Sequence, residues 1–305
     1  MKIAIYNRCG VLNDVVVELK NRGHTIFHHN RDNNWFGWEK ADVIVVWVDS
    51  EMDGWRKSII KAQRYGKKVI LVQHGRKGIS RAHPPFNEVP ITDLVCVWSE
   101  NDKKRLIECG YPEEKIVITG TPIFRHLIPR EKHKGKIIVF TPTHWDANDE
   151  TENVIVANKL RQLEDVKIIT KIVYTNDPKH FDNPVFSDVS EQNHFTLCAD
   201  VLSKADLVVS LVDSTFELMA EILDIPVVVM DMKIPSTKYK INLYPLSNAC
   251  TGVKDISKLN DEIRKHLSHP ELLREERKTI GVRAAGMDIK DPVEEMIKAI
   301  LTIKK

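Results

Sequence analysis

Short runs of apolar residues alternate along this chain with segments in which apolar residues recur every three or four positions. Val43–Val48 is almost entirely β-branched or aromatic, a composition typical of strands that are buried on both faces. Residues 11–19 instead place apolar side chains on one face of a helix, and this pattern stops at Gly23. The alternation predicts an α/β protein in which mostly parallel sheets carry helices on both faces.

The elements predicted in this way fall into two groups along the chain. Strands are predicted at residues 1–6, 24–28, 43–48, 68–72, 94–98 and 115–119, and then at 137–140, 166–170, 207–211 and 227–230. Helices are predicted at residues 11–19, 58–65, 101–109, 151–162 and 194–203, near Ser214, and at 256–267, 270–280 and 291–304. Residues 121–136 interrupt the pattern with proline, histidine and charge, which predicts a linker.

This interruption divides the chain into two Rossmann-like, doubly wound domains. We expect a first domain at residues 1–130, a second at 131–290, and a last helix at 291–305 that can cross back to the first. Open α/β sheets bind ligands beyond the carboxyl ends of their strands. Two such domains facing each other would therefore place a binding site in the cleft between them.

Residues 205–231 form the clearest single unit of the pattern. An apolar run at 207–211 is followed by the polar residues Asp213, Ser214 and Thr215, a helix-period segment and a second apolar run. This order predicts a βαβ unit whose helix is capped by Ser214. The start of such a helix presents free N–H groups and the positive end of the helix dipole, which suits a phosphate group. On this segment alone, a purely capping role for Ser214 is the simpler interpretation.

Composition and charge give no support to several classes of protein. The net charge of +2 gives no overall field toward nucleic acid or membrane. The sequence contains no apolar run near the roughly 20 residues of a membrane helix, and it begins directly in a strand without signal-peptide features. We therefore expect a cytoplasmic protein. Five scattered cysteines without CxxC spacing indicate neither a disulfide framework nor a zinc site.

Several short motifs, in order, carry a family resemblance. The segment IVFTPTHWD at 138–146 is similar to the apolar strand plus A-P-T-W-R-D of CDP-glycerol glycerophosphotransferase-like enzymes, with His-Trp in place of Trp-Arg. Lys171 with a later Asp-Pro resembles a stretched K-x-H-P segment that lacks the histidine, and residues 205–231 are similar to A-D-x-x-I-T-D-Y-S-S…P-V-x-x-x-D. Gln73-His74-Gly75 resembles the His-Gly that follows a first-domain strand. With two Rossmann-like halves, the chain thus resembles the GT-B glycosyltransferases.

The resemblance implies a nucleotide-activated donor in the second domain. Lys171, Ser214 and Thr215 would hold the donor phosphates, although Lys171 could equally cap an edge strand and Ser214 a helix. Glu217 could accept a ribose or sugar hydroxyl, but a favourable charge at a helix N-terminus explains it more simply. Two further candidates for donor contact lie on the loop after the strand at 137–140; these are Thr143 and His144.

The first domain would then bind the acceptor and supply a base. His74 follows a strand and could take a proton from an acceptor hydroxyl, or it could only hydrogen-bond its own glycine-containing loop. Arg8, Arg76 and Trp35 are candidates for acceptor binding, with solvated loops and packing as the alternatives. An acidic cluster at 49–53 is expected to be solvated, and the sequence lacks a DxD pair for a metal-dependent transferase.

The predicted activity is transfer of a glycosyl or glycerophosphate group from a UDP-, GDP- or CDP-linked donor to an acceptor hydroxyl, without a metal or another cofactor. The acceptor could be a glycan, a polyol phosphate or modified DNA. A sugar-nucleotide epimerase of the same two-domain architecture is the nearest alternative. It would consume a nucleotide sugar without any acceptor. A non-enzymatic protein whose two lobes clasp a small ligand is a third possibility.

Overall fold

A computed structural model of the chain describes residues 1–6, 10–29, 38–47, 49, 55–75, 89–131, 134–142, 150–173, 176–186, 194–211, 214–230 and 248–303. The chain divides into two compact units. The first is built from Met1–Arg125 and Val282–Lys305, and the second from His126–Val189 and His194–Gly281. Among the described residues, no helix is long and apolar enough to cross a bilayer.

Among the described residues, each unit contains one sheet of six strands. The first sheet consists of β1 (Lys2–Tyr6), β2 (Thr25–His29), β3 (Val43–Val46), β4 (Lys68–Val72), β5 (Leu94–Val97) and β6 (Ile116–Ile118). The second consists of β7 (Lys136–Thr141), β8 (Val166–Ile172), β9 (Pro184–Phe186), β10 (Leu207–Ser210), β11 (Val227–Met230) and β12 (Thr251–Val253). Both sheets are parallel throughout. Their orders are β2-β1-β3-β4-β5-β6 and β12-β11-β10-β7-β8-β9.

Helices connect β1 to β2, β3 to β4, β5 to β6, β7 to β8, β9 to β10 and β10 to β11, because parallel neighbours need a crossover connection. The described helices are α1 (Asn13–Asn21), α2 (Trp55–Arg64), α3 (Glu100–Glu108), α4 (Glu150–Leu160), α5 (His194–Ser203), α6 (Thr215–Ile222), α7 (Leu259–Ser268), α8 (Arg274–Ala285) and α9 (Pro292–Thr302). All four residues of β3 are buried, which explains why its sequence is continuously apolar rather than alternating. The division between the two units falls within α8.

The strand orders place one switch point in each sheet. In the second sheet β7 lies between β10 and β8, and consecutive strands run outward from it in both directions, as in a dinucleotide-binding fold. Leu207 pairs with Ile138 across the switch point, and Ser210 pairs with Thr141 at its carboxyl end. In the first sheet the corresponding switch point lies between β1 and β3. Ligands of open α/β sheets bind beyond the carboxyl ends of the strands at such points.

The last helix of the chain packs on the first one. Asp291 caps α9 by accepting a 3.1 Å hydrogen bond from the Glu294 N–H, and Arg22 at the end of α1 lies 2.5 Å from a carboxylate oxygen of Glu294. The turn before α9 requires glycine. Gly286 has φ +62°, and a Cβ there would lie 1.9 Å from the carbonyl oxygen of Trp98. The segment 282–303 therefore belongs to the first unit through close backbone packing as well as a surface ion pair.

Most of the predicted elements are present among the described residues, and a few differ in their bounds or were not predicted. The predicted βαβ unit is confirmed, because β10, α6 and β11 occur in order and the two strands pair in parallel. Two strands, β9 and β12, were not predicted. The helix predicted at 256–267 is a 3-10 turn followed by α7, and the helix predicted at 270–280 lies instead at Arg274–Ala285. The predicted linker contains a 3-10 turn at Pro122–His126.

Candidate active site

The switch point of the second sheet is organised around the start of α6. Ser214 is the N-cap, and its side-chain oxygen accepts a 3.2 Å hydrogen bond from the Phe216 N–H. The Ser214 N–H donates a 2.7 Å hydrogen bond to Glu217 Oε2, and the Ser214 hydroxyl donates to the same oxygen. These contacts form a capping box. The prediction that this helix begins near Ser214 is therefore confirmed.

Glu217 links this helix start to the end of the central strand β7. The Thr141 hydroxyl donates a 2.8 Å hydrogen bond to Glu217 Oε1, and the Glu217 side chain is buried. Both carboxylate oxygens are thus engaged by protein donors, as a buried charge requires. The geometry fits a structural role, in which Glu217 fixes α6 against β7. The binding of a sugar hydroxyl by Glu217 stays a prediction.

Lys171 lies on β8, beside β7, and provides a positive charge at the same edge of the sheet. Its Nζ is 5.2 Å from the centroid of the Phe216 ring, and that ring is buried in the first turn of α6. A cation over an aromatic face gains about 0.5–1 kcal/mol at an exposed site. Within the described part of the chain, no carboxylate pairs with this ammonium. The Lys171 ammonium is therefore held near the N-terminus of α6 by its contact with Phe216.

Two hydrogen bonds join Val173 and Asn176 just beyond the end of β8. The Val173 N–H donates a 3.1 Å hydrogen bond to Asn176 Oδ1, and the Asn176 N–H donates a 3.0 Å bond to the Val173 carbonyl. Asp177, from the predicted Asp-Pro motif, caps the 3-10 turn that follows and pairs with Lys179, which lowers the pKa of its exposed carboxyl. The end of β8 is thus fixed by local hydrogen bonds. Sequence reasoning missed Asn176 and Thr141.

His74 lies in the first unit, two residues beyond the end of β4. Its neighbour Gln73 is fully buried and fixes the backbone on both sides. Gln73 Oε1 accepts a 2.9 Å hydrogen bond from the Trp98 N–H, and Gln73 Nε2 donates a 3.1 Å bond to the Gly75 carbonyl. The Trp98 indole N–H also donates to the Gln73 carbonyl, at 2.9 Å. The structure places His74 at the carboxyl edge of the first sheet, as predicted from its position after a strand.

Among the described residues, four rings follow one another in a line that we call the aromatic row: Tyr6, Trp55, Trp47 and His74. The ring centroids of successive members are 6.1, 6.1 and 4.6 Å apart, and each pair is close to perpendicular. Edge-to-face contacts of this kind are favourable beyond the area they bury. Burial and the nearby Glu39 raise the pKa of the Tyr6 phenol, so Tyr6 acts as a neutral ring. The row spans the carboxyl ends of β1, β3 and β4.

The acidic cluster after β3 differs from the prediction. Asp49 is completely buried, and Arg56 Nε lies 3.1 Å from its Oδ1. Its other oxygen accepts hydrogen bonds from the N–H groups of Ile91, at 2.6 Å, and Thr92, at 3.3 Å. Burial raises the pKa of Asp49, against the opposing effect of these donors. The expectation that Asp49 is solvated is wrong, and the rest of the cluster, 50–53, lies outside the described residues.

The remaining candidates divide between the described and the undescribed parts of the chain. Thr215 is the first residue of α6 and half-buried, beside Ser214. The candidates Arg8, Trp35, Arg76, Thr143 and His144 all lie outside the described residues. In the part of the chain that the structure describes, no group of three or more His, Cys, Asp and Glu side chains could hold a metal ion.

Solved structures with a similar overall fold cover almost the whole chain. A UDP-GlcNAc 2-epimerase from Neisseria meningitidis bound to UDP-GlcNAc has a TM-score of 0.66 at 12% identity, covering 99% of this chain and 100% of that one. The wall teichoic acid polymerase TagF has a TM-score of 0.61 at 12% identity, covering 98% and 88%. A glycosyltransferase from Rickettsia africae has a TM-score of 0.54 at 14% identity, covering 99% of each chain.

These similarities identify the fold. No protein-family model and no curated protein matches the sequence. The two parallel six-stranded sheets and the likeness to transferases and epimerases of this type confirm the predicted GT-B architecture. At identities of 12–14% the likeness defines the fold and leaves the activity to be argued from the site.

Proposed function

We propose that this protein is a transferase that moves a glycosyl or glycerophosphate group from a nucleotide-activated donor to an acceptor hydroxyl. The second unit binds the donor and the first unit binds the acceptor. The donor is a UDP-, GDP- or CDP-linked group, and the acceptor hydroxyl lies on a glycan, a polyol phosphate or modified DNA. This activity uses neither a metal nor another cofactor.

The observation that carries the proposal is the position of Lys171 at the switch point. Its ammonium lies 5.2 Å from the Phe216 ring, in the first turn of α6, and no described carboxylate neutralises it. A phosphate bound there would meet a full positive charge and the positive end of the helix dipole together. A diphosphate leaving group would gain from the same two features as its charge develops.

The start of α6 supplies the remaining phosphate contacts in this proposal. The Ser214 hydroxyl already donates to Glu217, so its hydrogen is engaged within the capping box. The Ser214 N–H donates to Glu217 as well, so we assign to Ser214 the role of fixing the helix start and to Thr215, the first residue of α6, the direct contact with the phosphate. Thr143 and His144, on the loop after β7, would contact the group that is transferred.

His74 is the proposed general base. A histidine titrates near neutral pH, so a neutral imidazole can accept the proton of an acceptor hydroxyl as the new bond forms. Its place beyond the carboxyl end of β4, one strand away from the switch point between β1 and β3, supports this role. Arg8, Arg76 and Trp35 would bind the acceptor, the first two through charge and Trp35 by stacking.

A thermal-shift panel of nucleotides tests the proposed class of donor. The panel contains UDP, GDP, CDP, their sugar conjugates and CDP-glycerol. A ligand present at a hundred times its Kd should stabilise the folded state by about 2.7 kcal/mol. We expect a rise in the unfolding temperature with one nucleotide family and none with the matching nucleoside. A flat panel with well-folded protein would reject the donor site and favour the non-enzymatic binding protein.

A sugar-nucleotide epimerase is the second candidate. The likeness to a UDP-GlcNAc 2-epimerase bound to its nucleotide sugar, with a TM-score of 0.66, favours it. The two activities differ in their need for an acceptor. Incubation with the nucleotide sugar alone, followed by NMR of the sugar, would reveal an epimer if the protein is an epimerase. Transfer would instead leave the donor unchanged, apart from slow hydrolysis, until an acceptor is added.

The choice among acceptors also has a direct test. Binding to modified DNA would release counterions from its phosphate backbone. Because this release is less favourable at high salt, the affinity would fall steeply as salt is raised. Binding to a neutral glycan would change little over the same range. Retention of the protein on a DNA column at low and high salt therefore separates these two acceptors.

A further inference from the structure

The aromatic row gives His74 a neighbour whose role neither the sequence motifs nor the proposed reaction accounts for. Trp47 directly follows β3, and its ring centroid is 4.6 Å from that of His74, at an interplanar angle of 89°. Trp47 also contacts Trp55, whose ring is buried and in turn meets the buried Tyr6. The imidazole thus rests on a ring that is itself held by buried rings.

The backbone beside His74 is fixed by Trp98, which follows β5, the strand on the other side of β4 from β3. Gln73 is buried between β4 and β5, and three hydrogen bonds join it to Trp98 and Gly75. The side-chain amide and the main-chain carbonyl of Gln73 both take part. The carboxyl ends of β3 and β5 therefore restrain a histidine at the end of β4, one through the ring and the other through the backbone.

We propose that Trp47 is a positioning residue that fixes the plane of the His74 imidazole for proton transfer. The proposal rests on the proposed function for the chemistry that His74 performs. A perpendicular ring contact restricts rotation about χ2 of histidine, the torsion that directs the two ring nitrogens. General-base catalysis needs a nitrogen within hydrogen-bond reach of the hydroxyl, so a freely rotating ring would be productive only part of the time.

This role predicts a defined kinetic signature. Replacement of Trp47 by leucine keeps an apolar side chain but removes the perpendicular ring contact with the imidazole. Misplacement of a catalytic group by about 1 Å can cost on the order of 10²-fold in rate, so we expect kcat to fall by roughly 10–100-fold. Donor affinity should stay unchanged, because the donor binds to the second unit. Trp47→Phe, which restores a ring, should recover part of kcat.

NMR of protein with isotope-labelled histidine tests the ring contact without any assumption about activity. The His74 resonances are assigned by their loss in His74→Gln. We expect Trp47→Leu to shift them, because the indole ring current is removed, and Trp47→Phe to give a smaller shift. Trp38→Leu is the matched control, since Trp38 contacts Tyr65 and Lys61 rather than His74 and should leave these resonances in place.

The two measurements separate failure of the inference from failure of the proposed function. Unshifted His74 resonances in folded Trp47→Leu, or a shift accompanied by wild-type kcat, would overturn the positioning role. If the wild-type protein turns over no activated donor, the proposed function fails and with it the catalytic purpose of the contact. If Trp47→Leu does not fold, Trp47→Phe supplies both readouts, and an unchanged spectrum in that variant counts against the inference.

Discussion

The Thr141 hydroxyl donates a 2.8 Å hydrogen bond to Glu217 Oε1, which joins the end of the central strand β7 to the first turn of α6. The two residues are separated by 76 positions in the chain. Through this bond the helix start that faces the switch point is tied to the middle of the sheet. The proposed phosphate site therefore rests on a rigid support, as binding sites built on regular elements generally do.

Removal of this hydrogen bond should destabilise the protein measurably. Thr141→Val keeps the shape of the side chain but leaves a buried carboxylate oxygen without its donor, which costs about 1.5–3 kcal/mol for a charged acceptor. Urea unfolding monitored by circular dichroism measures the loss. Thr141→Ser is the control, since it retains the hydroxyl. If Val and Ser variants are equally stable, the hydrogen bond contributes nothing.

The cap of α6 should be coupled energetically to Thr141, because Ser214 and Thr141 both donate to Glu217. Ser214→Ala alone should cost about 1 kcal/mol as a lost N-cap. In the double variant with Thr141→Val, we expect the two losses to differ from their sum by at least about 0.5 kcal/mol. A double-mutant cycle built from the free energies of urea unfolding measures this interaction energy. Strict additivity would mean that the Glu217 carboxylate does not connect the two sites.

Gly286 should tolerate no side chain. Gly286→Ala would place a Cβ at 1.9 Å from the Trp98 carbonyl oxygen, in addition to a φ of +62°. We expect a loss of more than about 2 kcal/mol, from left-handed strain and overpacking together. Gly23→Ala is the matched control, because Gly23 has φ +81° but open space around it, and should lose only about 1 kcal/mol. Equal losses in thermal or urea unfolding would disprove the backbone contact at Gly286.

His266 should make the stability of the second unit depend on pH. Burial lowers the pKa of His266 below its ordinary value of 6.5, with Glu262 opposing and Lys265 and Arg277 assisting, and its Nε2 lies 2.8 Å from Thr251 Oγ1. As the pH falls through about 6.5, His266 therefore binds a proton in the unfolded chain, whereas in the folded chain it binds one only at a lower pH. The free energy of unfolding should fall as the pH drops below that value, until the folded-state pKa is reached.

The variant His266→Gln isolates this effect from the other histidines. Glutamine can still hydrogen-bond Thr251, but it does not titrate. We expect the wild-type protein to lose more stability than the variant between neutral pH and about pH 5.5, where free histidines are charged. Urea unfolding of both proteins at the two pH values gives the difference. An identical pH dependence would show that His266 is protonated equally in both states.

The sequence predicts the long elements well and the short edge strands poorly. Strands such as β3 and β11 are continuous apolar runs, so their pattern alone identifies them. The missed strands β9 and β12 have three residues each and contain Pro184 and Gly252, residues that ordinarily argue against a strand. They form because a longer parallel neighbour offers its edge, which is a tertiary effect.

In the candidate site, too, features with a local sequence signature could be predicted and contacts between distant residues could not. Lys171 and Ser214 could be predicted, because a strand end and a helix cap have local signatures in the sequence. The hydrogen bond between Thr141 and Glu217 could not be predicted, because the two residues are distant in the chain and only the fold brings them together. The burial of Asp49 likewise depends on Arg56 and on amides more than 40 residues away, at Ile91 and Thr92. A local acidic cluster gives no sign of such partners.

The most direct test of the account is calorimetric titration of Lys171→Met with the nucleoside diphosphate that stabilises the wild-type protein most. Loss of a charge-assisted phosphate contact should weaken binding by about tenfold or more, while the matching nucleoside binds equally to both proteins. Lys167→Met, which removes an exposed lysine from the same strand β8, should bind the diphosphate like the wild type. If Lys171→Met and Lys167→Met both retain wild-type affinity, the phosphate site is not at this switch point and the proposed donor site is wrong.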